Sequence, residues 1–312
     1  MPNLLLDQAA DQINSGGVVA FPTETVYGLG ARIDHIPALD RIFELKGRPG
    51  DNPLIVHISN LEMLQTLTSW HDHPRVMALA DAFWPGPLAI IVPRHPIVPD
   101  RITAGLDTVA IRMPNHPLAL QLIEMTGPLA APSANRSGRP SPTRSEHVIE
   151  DFGDLVDVLD GGPCSVGLES TVLDIRSEPV VILRPGGISS KQIEDVLGIA
   201  VISELSEGVV RSPGTRYRHY APKTPVHIVS DDGPLTKPAN ALVISPDAQP
   251  DLSVDGFYGY GGDYGLLAAE LYDRFRQADL EKRAIILITP PQDRSPPMYA
   301  ALVNRIRKAA EE

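Results

Sequence analysis

Short apolar runs rich in β-branched residues alternate with stretches of helical periodicity over the first two thirds of this chain. Each run ends at Pro, Gly, Asn or Asp, which favours strands closed by turns. The predicted strands cover 17–21, 53–59, 88–92, 108–113, 129–132, 170–175 and 180–184. The predicted helices cover 4–15, 37–46, 60–66, 75–82, 117–126 and 189–197, the last opened by a capping box of Ser189 and Gln192. The alternation predicts an α/β fold with a mixed sheet.

The alternation of strand and helix patterns ends at about residue 204, and a second set of strand and helix patterns begins at about residue 223. Strands are predicted near 226–230, 241–245 and 284–289, and helices near 266–278 and 298–310, which is typical of a small parallel α/β unit. A length of 312 residues also favours two domains. We therefore predict a first domain over 1–203, a linker over 204–222 and a second domain over 223–312. Within the second domain, we assign the glycine and tyrosine cluster at 256–262 to a turn.

Composition and the distribution of apolar residues argue against membrane contact, disulfide bonding and broad nucleic-acid binding. No apolar stretch approaches the length of a membrane span and no basic segment precedes an apolar run at the N-terminus, so we expect a cytoplasmic protein without membrane contact. The single cysteine, Cys164, excludes an intrachain disulfide and is expected to be a buried thiol. A formal net charge of −12 argues against a broad electrostatic grip on nucleic acid.

Polar groups follow two of the early strands. The run at 21–30, Phe-Pro-Thr-Glu-Thr-Val-Tyr-Gly-Leu-Gly, could offer hydroxyls and a carboxylate to a small polar ligand, or could be a turn held by side-chain-to-backbone bonds. Lys46 and Arg48 could hold triphosphate oxygens, or could belong to a solvated basic turn. His57 taken alone is better explained by a structural role. Neither run matches the glycine-rich dinucleotide or Walker motifs.

Three later runs also carry polar groups. Arg112 lies within an otherwise apolar strand, which favours either a carboxylate ligand or an internal ion pair. The run at 131–143 is either a phosphate or ribose site or a Ser/Pro-rich turn, and a hydroxyl pair and an arginine recur in 167–172 and 183–186. These runs contain no carboxylate pair, Ser-His-Asp pattern or Cys-His dyad. They indicate a site that positions small anions, without a protein nucleophile.

Taken in order, several of these runs resemble the Sua5/YciO/YrdC family. They are Pro-Thr-Glu-Thr-Val-Tyr-Gly-Leu, Lys-Gly-Arg-Pro-x-x-Asn-Pro-Leu, Thr-Val-Ala-Ile-Arg-Met-Pro, Pro-Ser-Ala-Asn-x-Ser-Gly and Glu-Ser-Thr-Val. The run at 212–222, Ser-Pro-Gly-Thr-Arg-Tyr-Arg-His-Tyr-Ala-Pro, and the domain after it are similar to the longer Sua5 branch. The resemblance implies a YrdC-like twisted mixed sheet with flanking helices, followed by a smaller Rossmann-like α/β domain.

The resemblance also implies an activity, the condensation of L-threonine, bicarbonate and ATP into threonylcarbamoyl-AMP for the t6A modification of tRNA. Carried over to this sequence, the residues expected around threonine are Thr25, His57, Arg112 and Ser170, with Arg112 on the carboxylate. Those expected to contact ATP or the adenylate are Lys46, Arg48, Asn52, Thr108, Ser133, Asn135, Thr143, Arg184 and Tyr220. Lys46 and Arg48 would be the catalytic cations, and Tyr220 would close over the site.

Cofactors and partners follow from the same resemblance. We expect Mg²⁺ to accompany ATP and bridge its phosphates, with no dedicated protein metal site. A downstream threonylcarbamoyl transferase is the expected protein partner. The negative net charge favours at most weak contact with RNA. We expect a monomer. Two other hypotheses are an RNA-binding module and a carbamoyl-transfer relative. The second hypothesis would require acylphosphatase or zinc-finger segments, which this sequence lacks.

Overall fold

A computed structural model describes residues 4–203, 220–229, 240–251 and 255–310 of the chain. The α-helices are α1 Leu6–Asn14, α2 Ile36–Lys46, α3 Leu64–Leu67, α4 Pro74–Phe83, α5 Asp100–Thr103, α6 Pro117–Thr126, α7 Ser145–Phe152, α8 Ser190–Leu197, α9 Tyr264–Leu280 and α10 Tyr299–Ala310. The strands are β1 Val19–Phe21, β2 Gly28–Arg32, β3 Ile55–His57, β4 Leu88–Pro93, β5 Thr108–Arg112, β6 Leu129–Ala131, β7 Asp157–Val158, β8 Thr171–Asp174, β9 Val180–Arg184, β10 Val201–Ser203, β11 Val226–Ile228, β12 Ala241–Ser245, β13 Phe257–Gly259 and β14 Ile285–Ile288.

The first unit is built on a large mixed sheet, as predicted. Its strand order is β10-β9-β8-β4-β5-β3-β6-β2-β1-β7. The sheet contains parallel pairs, such as β3 with β5 and β4 with β8, and antiparallel pairs, such as β4 with β5 and β3 with β6. The two-residue side-chain period sends neighbouring residues to opposite faces: Ala20 joins the apolar cluster with α2, whereas Phe21 joins the cluster with α1 and α6. Helices therefore flank this part of the sheet on both faces.

The strand β2 was missed by the sequence analysis, which assigned residues 21–30 to a strand and the junction after it. Gly28 and Gly30 are poor strand formers, but β2 pairs antiparallel with β1 and lies against the ring of Phe21. A Cβ at Gly30 would come within 2.6 Å of that ring, so the glycines allow a close approach that their propensity does not reveal. The short elements α5, α7, β7 and β10 were also not predicted.

The second unit is the predicted parallel α/β unit. Its sheet has the order β11-β14-β12-β13, and every pair in it is parallel. The turn assigned to 256–262 is wrong in part, because Phe257–Gly259 forms the strand β13 beside β12. Positive φ angles at Gly256, Gly261 and Gly262 place turns on both sides of it. Pairing with a buried neighbour strand outweighs the weak β propensity of this glycine-rich segment.

The two units share an apolar core. Val26 and Leu168 of the first unit pack in the cluster that is formed mainly by α9, α10 and the second sheet. Gly167 lies directly against α9, where a Cβ would meet the Cα of Ala269 at 2.3 Å. Most of the predicted linker, including 212–219, lies outside the described residues, and only 220–222 of it are described.

Two further predictions concern cysteine and membrane contact. Cys164 is buried, as expected, and burial raises the pKa of its thiol to about 12. None of the helices in the described ranges has both the length and the apolar character required to cross a membrane.

Candidate active site

A cavity of about 530 Å³ opens on one face of the large sheet. Alternate residues of β5, namely Thr108, Ala110 and Arg112, face the cavity, and so do Ile55 and His57 of β3. The side chains of Val109 and Ile111, between them, belong to the apolar core. Loops before β3, after β6 and before β8 form the walls. The site thus lies across the sheet face, although sequence reasoning had placed its residues mainly at strand ends.

Most of the predicted site residues border this single cavity. They are Thr25, Lys46, Arg48, Asn52, His57, Thr108, Arg112, Ser133, Asn135, Ser170, Arg184 and Tyr220. Thr143 is the exception, because its side chain is buried away from the cavity lining. Its backbone N–H is directed to Nδ1 of His147 at 3.2 Å, and its carbonyl accepts from Cys164. The geometry therefore gives no support to an ATP contact by Thr143.

The turn between β1 and β2 is held by side-chain-to-backbone bonds and also faces the cavity, so both interpretations of it apply. Thr23 Oγ1 donates to the carbonyl of Val26 at 2.7 Å and accepts from the N–H groups of Thr25 and Val26. The hydroxyls of Thr23 and Thr25 lie 2.8 Å apart. This short network fixes Thr25 next to the guanidinium of Arg112, whose Nη1 donates to Thr25 Oγ1 at 2.8 Å.

Arg112 ends β5 and forms the internal ion pair that was one of its two predicted roles. Its Nη2 lies 2.7 Å from Oε2 of Glu24, and both side chains are about 5% exposed or less. Its Nε donates to the carbonyl of Gly86 at 3.2 Å. The guanidinium nevertheless borders the cavity, and each terminal nitrogen carries a second N–H. An internal partner and a ligand carboxylate are therefore compatible at this arginine.

His57 ends β3, and the parallel register of β3 and β5 places it beside Arg112. It is 4% exposed and makes an edge contact with the ring of Phe21 at 5.9 Å. Burial, followed by the positive charge of Arg112, lowers the pKa of His57 to about 3. The imidazole is therefore neutral near pH 7, and it forms a polar but uncharged wall of the cavity.

Lys46 is the last residue of α2, which ends because Gly47 adopts the left-handed conformation with φ of 61°. The ammonium of Lys46 donates to the carbonyls of Ser133 at 2.6 Å and Asn135 at 2.5 Å. Lys46 is 4% exposed, so the alternative of a solvated basic turn is wrong for this residue. Burial and the nearby charge of Arg48 hold the pKa of Lys46 well below its usual range.

Two half-buried arginines, Arg48 and Arg184, also donate to uncharged oxygens. Arg48 donates to the carbonyls of Asn52 at 3.0 Å and Pro53 at 2.9 Å. Burial and the charge of Arg184 lower the pKa of Arg48 to about 10. Arg184, at the end of β9, donates to the carbonyl and the hydroxyl of Ser170 at 3.0 and 3.1 Å, and burial lowers its pKa also.

Lys46, Arg48 and Arg184 thus line one cavity with hydrogen bonds to uncharged oxygens. A buried cation is stabilised far better by an anion than by carbonyl groups. Burial lowers the pKa of all three groups, because nearby negative charge does not fully compensate their positive charge. The arrangement is suited to binding a small polyanion, because such a ligand would supply the missing negative charge.

Sequence reasoning missed the part of the site that comes from the second unit. Glu169, next to Ser170, accepts from Arg305 Nε of α10 at 2.7 Å and from the hydroxyl of Tyr272 of α9 at 3.1 Å. Lys308 of α10 borders the cavity as well. The sequence feature that could have indicated this contribution is Arg305, a charged residue on the apolar face of a predicted helix, between Leu302 and Ile306.

Tyr220 connects these groups to the cavity. Its ring stacks on Tyr272 with centroids 5.7 Å apart, and Cζ of Arg305 lies 4.9 Å from its centroid. Burial, followed by the negative charge of Glu169, raises the pKa of the phenol. The N–H of the next residue, Ala221, donates to the carbonyl of Gly138 at 2.9 Å, which ties this segment to the loop after β6.

Comparison with known proteins gives a consistent result over the whole chain. The Sua5/YciO/YrdC family model, described as telomere recombination, matches residues 11–186. A second model, described as the C-terminal domain of threonylcarbamoyl-AMP synthase, matches residues 188–311. The match of the second model begins before the linker that we predicted for 204–222, because it includes α8 and β10.

Full-length relatives agree with these matches. A threonylcarbamoyl-AMP synthase of Pyrococcus abyssi is 42% identical over 320 residues, which cover 97% of this chain and 93% of that protein. One of Bacillus subtilis is 43% identical over 327 residues, covering 97% and 92%. The crystal structure of P. abyssi Sua5 complexed with L-threonine has a TM-score of 0.86 at 39% identity and covers 99% of this chain and 96% of that one.

Proposed function

The chain belongs to the Sua5/YciO/YrdC family, and on that basis we propose that it joins L-threonine, bicarbonate and ATP into threonylcarbamoyl-AMP and releases pyrophosphate. The product is the activated group used in the t6A modification of tRNA. The observation that carries the proposal is the cluster of Lys46, Arg48 and Arg184, one buried and two half-buried cations that share a cavity and bond only to uncharged oxygens in the described part of the chain. A triphosphate would supply the negative charge that these groups lack.

Threonine is proposed to bind at the β1–β2 turn. The second N–H on each terminal nitrogen of Arg112 would hold its carboxylate, while Glu24 and Thr25 keep the guanidinium in place. His57 would contact the amino acid as a neutral group, and the hydroxyl of Ser170 would complete the pocket. A neutral histidine suits this position because it adds no charge beside the reacting amine.

The chemistry needs no protein nucleophile. The amine of threonine takes up bicarbonate with loss of water and becomes a carbamate. A carbamate oxygen then bonds to the α-phosphorus of ATP, and the bond from that phosphorus to the bridging oxygen breaks, so that pyrophosphate leaves with the electron pair. Lys46 and Arg48 would stabilise the charge that develops on the phosphate oxygens. Asn52, Thr108, Ser133, Asn135 and Arg184 would orient the nucleotide.

The product is a mixed anhydride, which water hydrolyses readily. Tyr220 is half-buried at the cavity wall and contacts Tyr272 and Arg305. We propose that its ring covers the reacting groups and keeps bulk water away from them. Contact with two helices of the second unit gives the covering ring a rigid support.

Mg²⁺ is proposed to enter as its complex with ATP. In the described ranges, no group of three or more His, Cys, Asp or Glu side chains is placed to hold a metal ion. Triphosphate oxygens are the hard ligands that Mg²⁺ prefers, and the ion usually keeps several waters beside them. Its contribution would be to neutralise the phosphates next to Lys46 and Arg48.

We also propose a cytoplasmic location, a monomeric state and a transferase partner that receives the labile adenylate. The support for a receiving partner is chemical, because an anhydride of this kind has to be consumed before it hydrolyses. The formal net charge of −12 supports only weak contact with RNA.

The test of the function is threonine-dependent release of pyrophosphate. The protein is incubated with ATP, Mg²⁺, bicarbonate and L-threonine, and pyrophosphate is measured together with the adenylate by mass spectrometry. Omission of threonine or of bicarbonate should abolish both products. Folded protein that releases pyrophosphate at the same rate without threonine, or releases none at all, would overturn the proposal.

A further inference from the structure

We propose that Arg276 of α9 and Asp151 of α7 are positioning residues for the nucleotide side of the site, so that docking of the second unit sets how well the first unit binds ATP. The inference rests on the proposed function. The two side chains belong to different units and are 1% and 0% exposed. Neither residue borders the cavity, so both act through the loop after β6, residues 132–140.

Arg276 contacts both the carboxylate of Asp151 and the backbone of this loop. Its Nη1 donates to Oδ1 of Asp151 at 3.1 Å and its Nη2 to Oδ2 at 3.0 Å, a bidentate contact that fixes the plane of the guanidinium. Nη2 also donates to the carbonyl of Pro140 at 2.6 Å. An arginine of the second unit therefore holds the far end of the loop directly.

Asp151 holds the middle of the same loop. Its Oδ2 accepts from the backbone N–H of Arg136 at 3.1 Å, and its carbonyl accepts from Nε of Arg136 at 2.8 Å. Nη1 of Arg139 lies 2.5 Å from Oδ1 of Asp151, and its Nη2 pairs with Glu150 at 2.8 Å. Two carboxylates thus balance Arg139 and Arg276, and this network fixes the loop at three of its residues.

The loop carries groups that are assigned to the nucleotide. The amide of Asn135 donates to the carbonyls of Arg136 and Arg139 at 2.8 and 3.0 Å, so its orientation depends on the two residues that the network holds. Its Oδ1 accepts from the hydroxyl of Ser133 at 2.5 Å. The carbonyls of Ser133 and Asn135 in turn hold the ammonium of Lys46. A shift of the loop would therefore displace all three ATP-side groups together.

The proposed threonine pocket has ion pairs of its own. Arg112 pairs with Glu24 at 2.7 Å, within the first unit. Glu169, next to the pocket, has Arg305 as its ion-pair partner at 2.7 Å. Both pairs remain when Arg276 is replaced. We therefore expect loss of Arg276 to weaken ATP binding with little effect on threonine.

The experiment replaces Arg276 by methionine. Asp151 keeps Arg139 and the N–H of Arg136, so the substitution leaves no buried carboxylate without a partner. KM for ATP should rise at least about fivefold, the lower end of typical coupling between two sites, whereas KM for threonine should stay within about twofold. Arg276→Lys keeps the charge without the bidentate geometry and should give an intermediate KM for ATP. It also carries the test if Arg276→Met does not fold.

Arg274→Met is the matched control. Arg274 also lies on α9 and pairs with Glu270 at 2.6 Å, but both of these residues belong to the second unit. The variant loses an arginine and an ion pair from the same helix while the contacts to the loop after β6 remain. Both KM values should equal those of the unaltered protein.

A second measurement needs no turnover. Coupling between two sites is reciprocal, so ATP bound at the loop should strengthen docking of the second unit. Addition of ATP and Mg²⁺ without threonine should slow amide hydrogen exchange in α9 of the unaltered protein and of Arg274→Met. Arg276→Met should lose most of this protection.

Three outcomes would overturn the inference while leaving the proposed function in place. The first is an unaltered KM for ATP in Arg276→Met, or in Arg276→Lys if the methionine variant does not fold. The second is an equal rise in both KM values or a fall in kcat alone, which would show a purely structural role. The third is hydrogen exchange in α9 of the unaltered protein that does not respond to ATP. Failure of the proposed function is seen separately, as a lack of threonine-dependent pyrophosphate release by the unaltered protein.

Discussion

Arg305 and Glu169 form a buried ion pair between the two units, with Nε and Oε2 2.7 Å apart and both side chains at most 6% exposed. The carboxylate also accepts from Ser141 and Tyr272. Glu169 precedes Ser170 of the proposed threonine pocket, and Arg305 lies against Tyr220. This ion pair therefore connects the docking of the second unit both to the proposed threonine pocket at Ser170 and to Tyr220.

Glu169→Gln should destabilise the protein strongly, because it leaves the guanidinium of Arg305 buried without its anion. Loss of one partner of a buried pair costs about 3–5 kcal/mol. The measurement is chemical or thermal unfolding at pH 7. The double variant Glu169→Gln with Arg305→Met is the control, and it should recover part of the loss because no unpaired charge remains. A Glu169→Gln protein as stable as the unaltered one would contradict the structural role of the pair.

Gly167→Ala should move α9 away from the first unit. The new Cβ would lie 2.3 Å from Cα of Ala269 and 2.4 Å from the carbonyl oxygen of Ala268, and both are backbone atoms of a helix. The φ of +76° adds backbone strain. We expect a lower unfolding temperature together with slower pyrophosphate release, because the displaced helix carries Tyr272.

The Gly162→Ala variant separates the effect of backbone strain from the effect of steric contact with α9. Gly162 has nearly the same φ, +77°, but a Cβ there would meet nothing within 4 Å. That variant should lose only about 1–2 kcal/mol of stability, which is the cost of a left-handed non-glycine residue. Equal unfolding temperatures for the two variants would show that contact with α9 does not matter.

Because Arg112 is assigned to threonine and Arg48 to ATP, we expect replacement of each arginine to affect the kinetics of a different substrate. Arg112→Ala should chiefly raise KM for threonine, whereas Arg48→Ala, like Lys46→Ala, should chiefly impair the use of ATP. A charged hydrogen bond of about 1.5–3 kcal/mol corresponds to a change of roughly 10- to 150-fold. Steady-state kinetics with each substrate varied in turn gives the comparison.

Arg112→Ala leaves Glu24 buried and unpaired, so its loss of activity could reflect a distorted turn. The double variant Glu24→Gln with Arg112→Met removes both charges and serves as the control. It should unfold at a higher temperature than Arg112→Ala and still bind threonine poorly. Threonine affinity in the double variant equal to that of the unaltered protein would refute the carboxylate contact.

Much of the fold was predictable because it depends on local periodicity. The helix over 117–126 was predicted with its observed bounds, and the capping box of Ser189 and Gln192 is present. The strand β2 was not predicted, because its glycines are explained only by the ring of Phe21 on the neighbouring strand. Pairing with a buried partner likewise makes a strand of Phe257–Gly259. Contacts between distant residues override local propensity at both places.

The candidate site was predictable only within the first unit. Motifs could indicate Lys46 and Arg112 because their charges interrupt recognisable local patterns. They could not indicate that Arg112 already has Glu24 as a partner, or that Lys308 reaches the cavity. These facts depend on how the turn folds back on β5 and on how α10 docks, and neither is encoded in the spacing of residues along one element.

His57 should make stability depend on pH in a defined window. Burial lowers its pKa to about 3 in the folded protein, whereas an unfolded histidine titrates near 6.5. Between these values the unfolded chain binds a proton that folded His57 does not. The free energy of unfolding therefore falls as pH falls below about 6.5, by up to roughly 1.4 kcal/mol per pH unit from this residue.

His57→Asn removes this contribution and keeps a polar side chain of similar length. Unfolding of both proteins without ligand, at several values between pH 6.5 and pH 5, isolates the histidine from carboxylates such as Glu169, which titrate at lower pH. The unaltered protein should lose stability more steeply than His57→Asn as pH decreases. Parallel curves would mean that His57 takes up a proton in the folded state, and the neutral role proposed for it beside Arg112 would then be wrong.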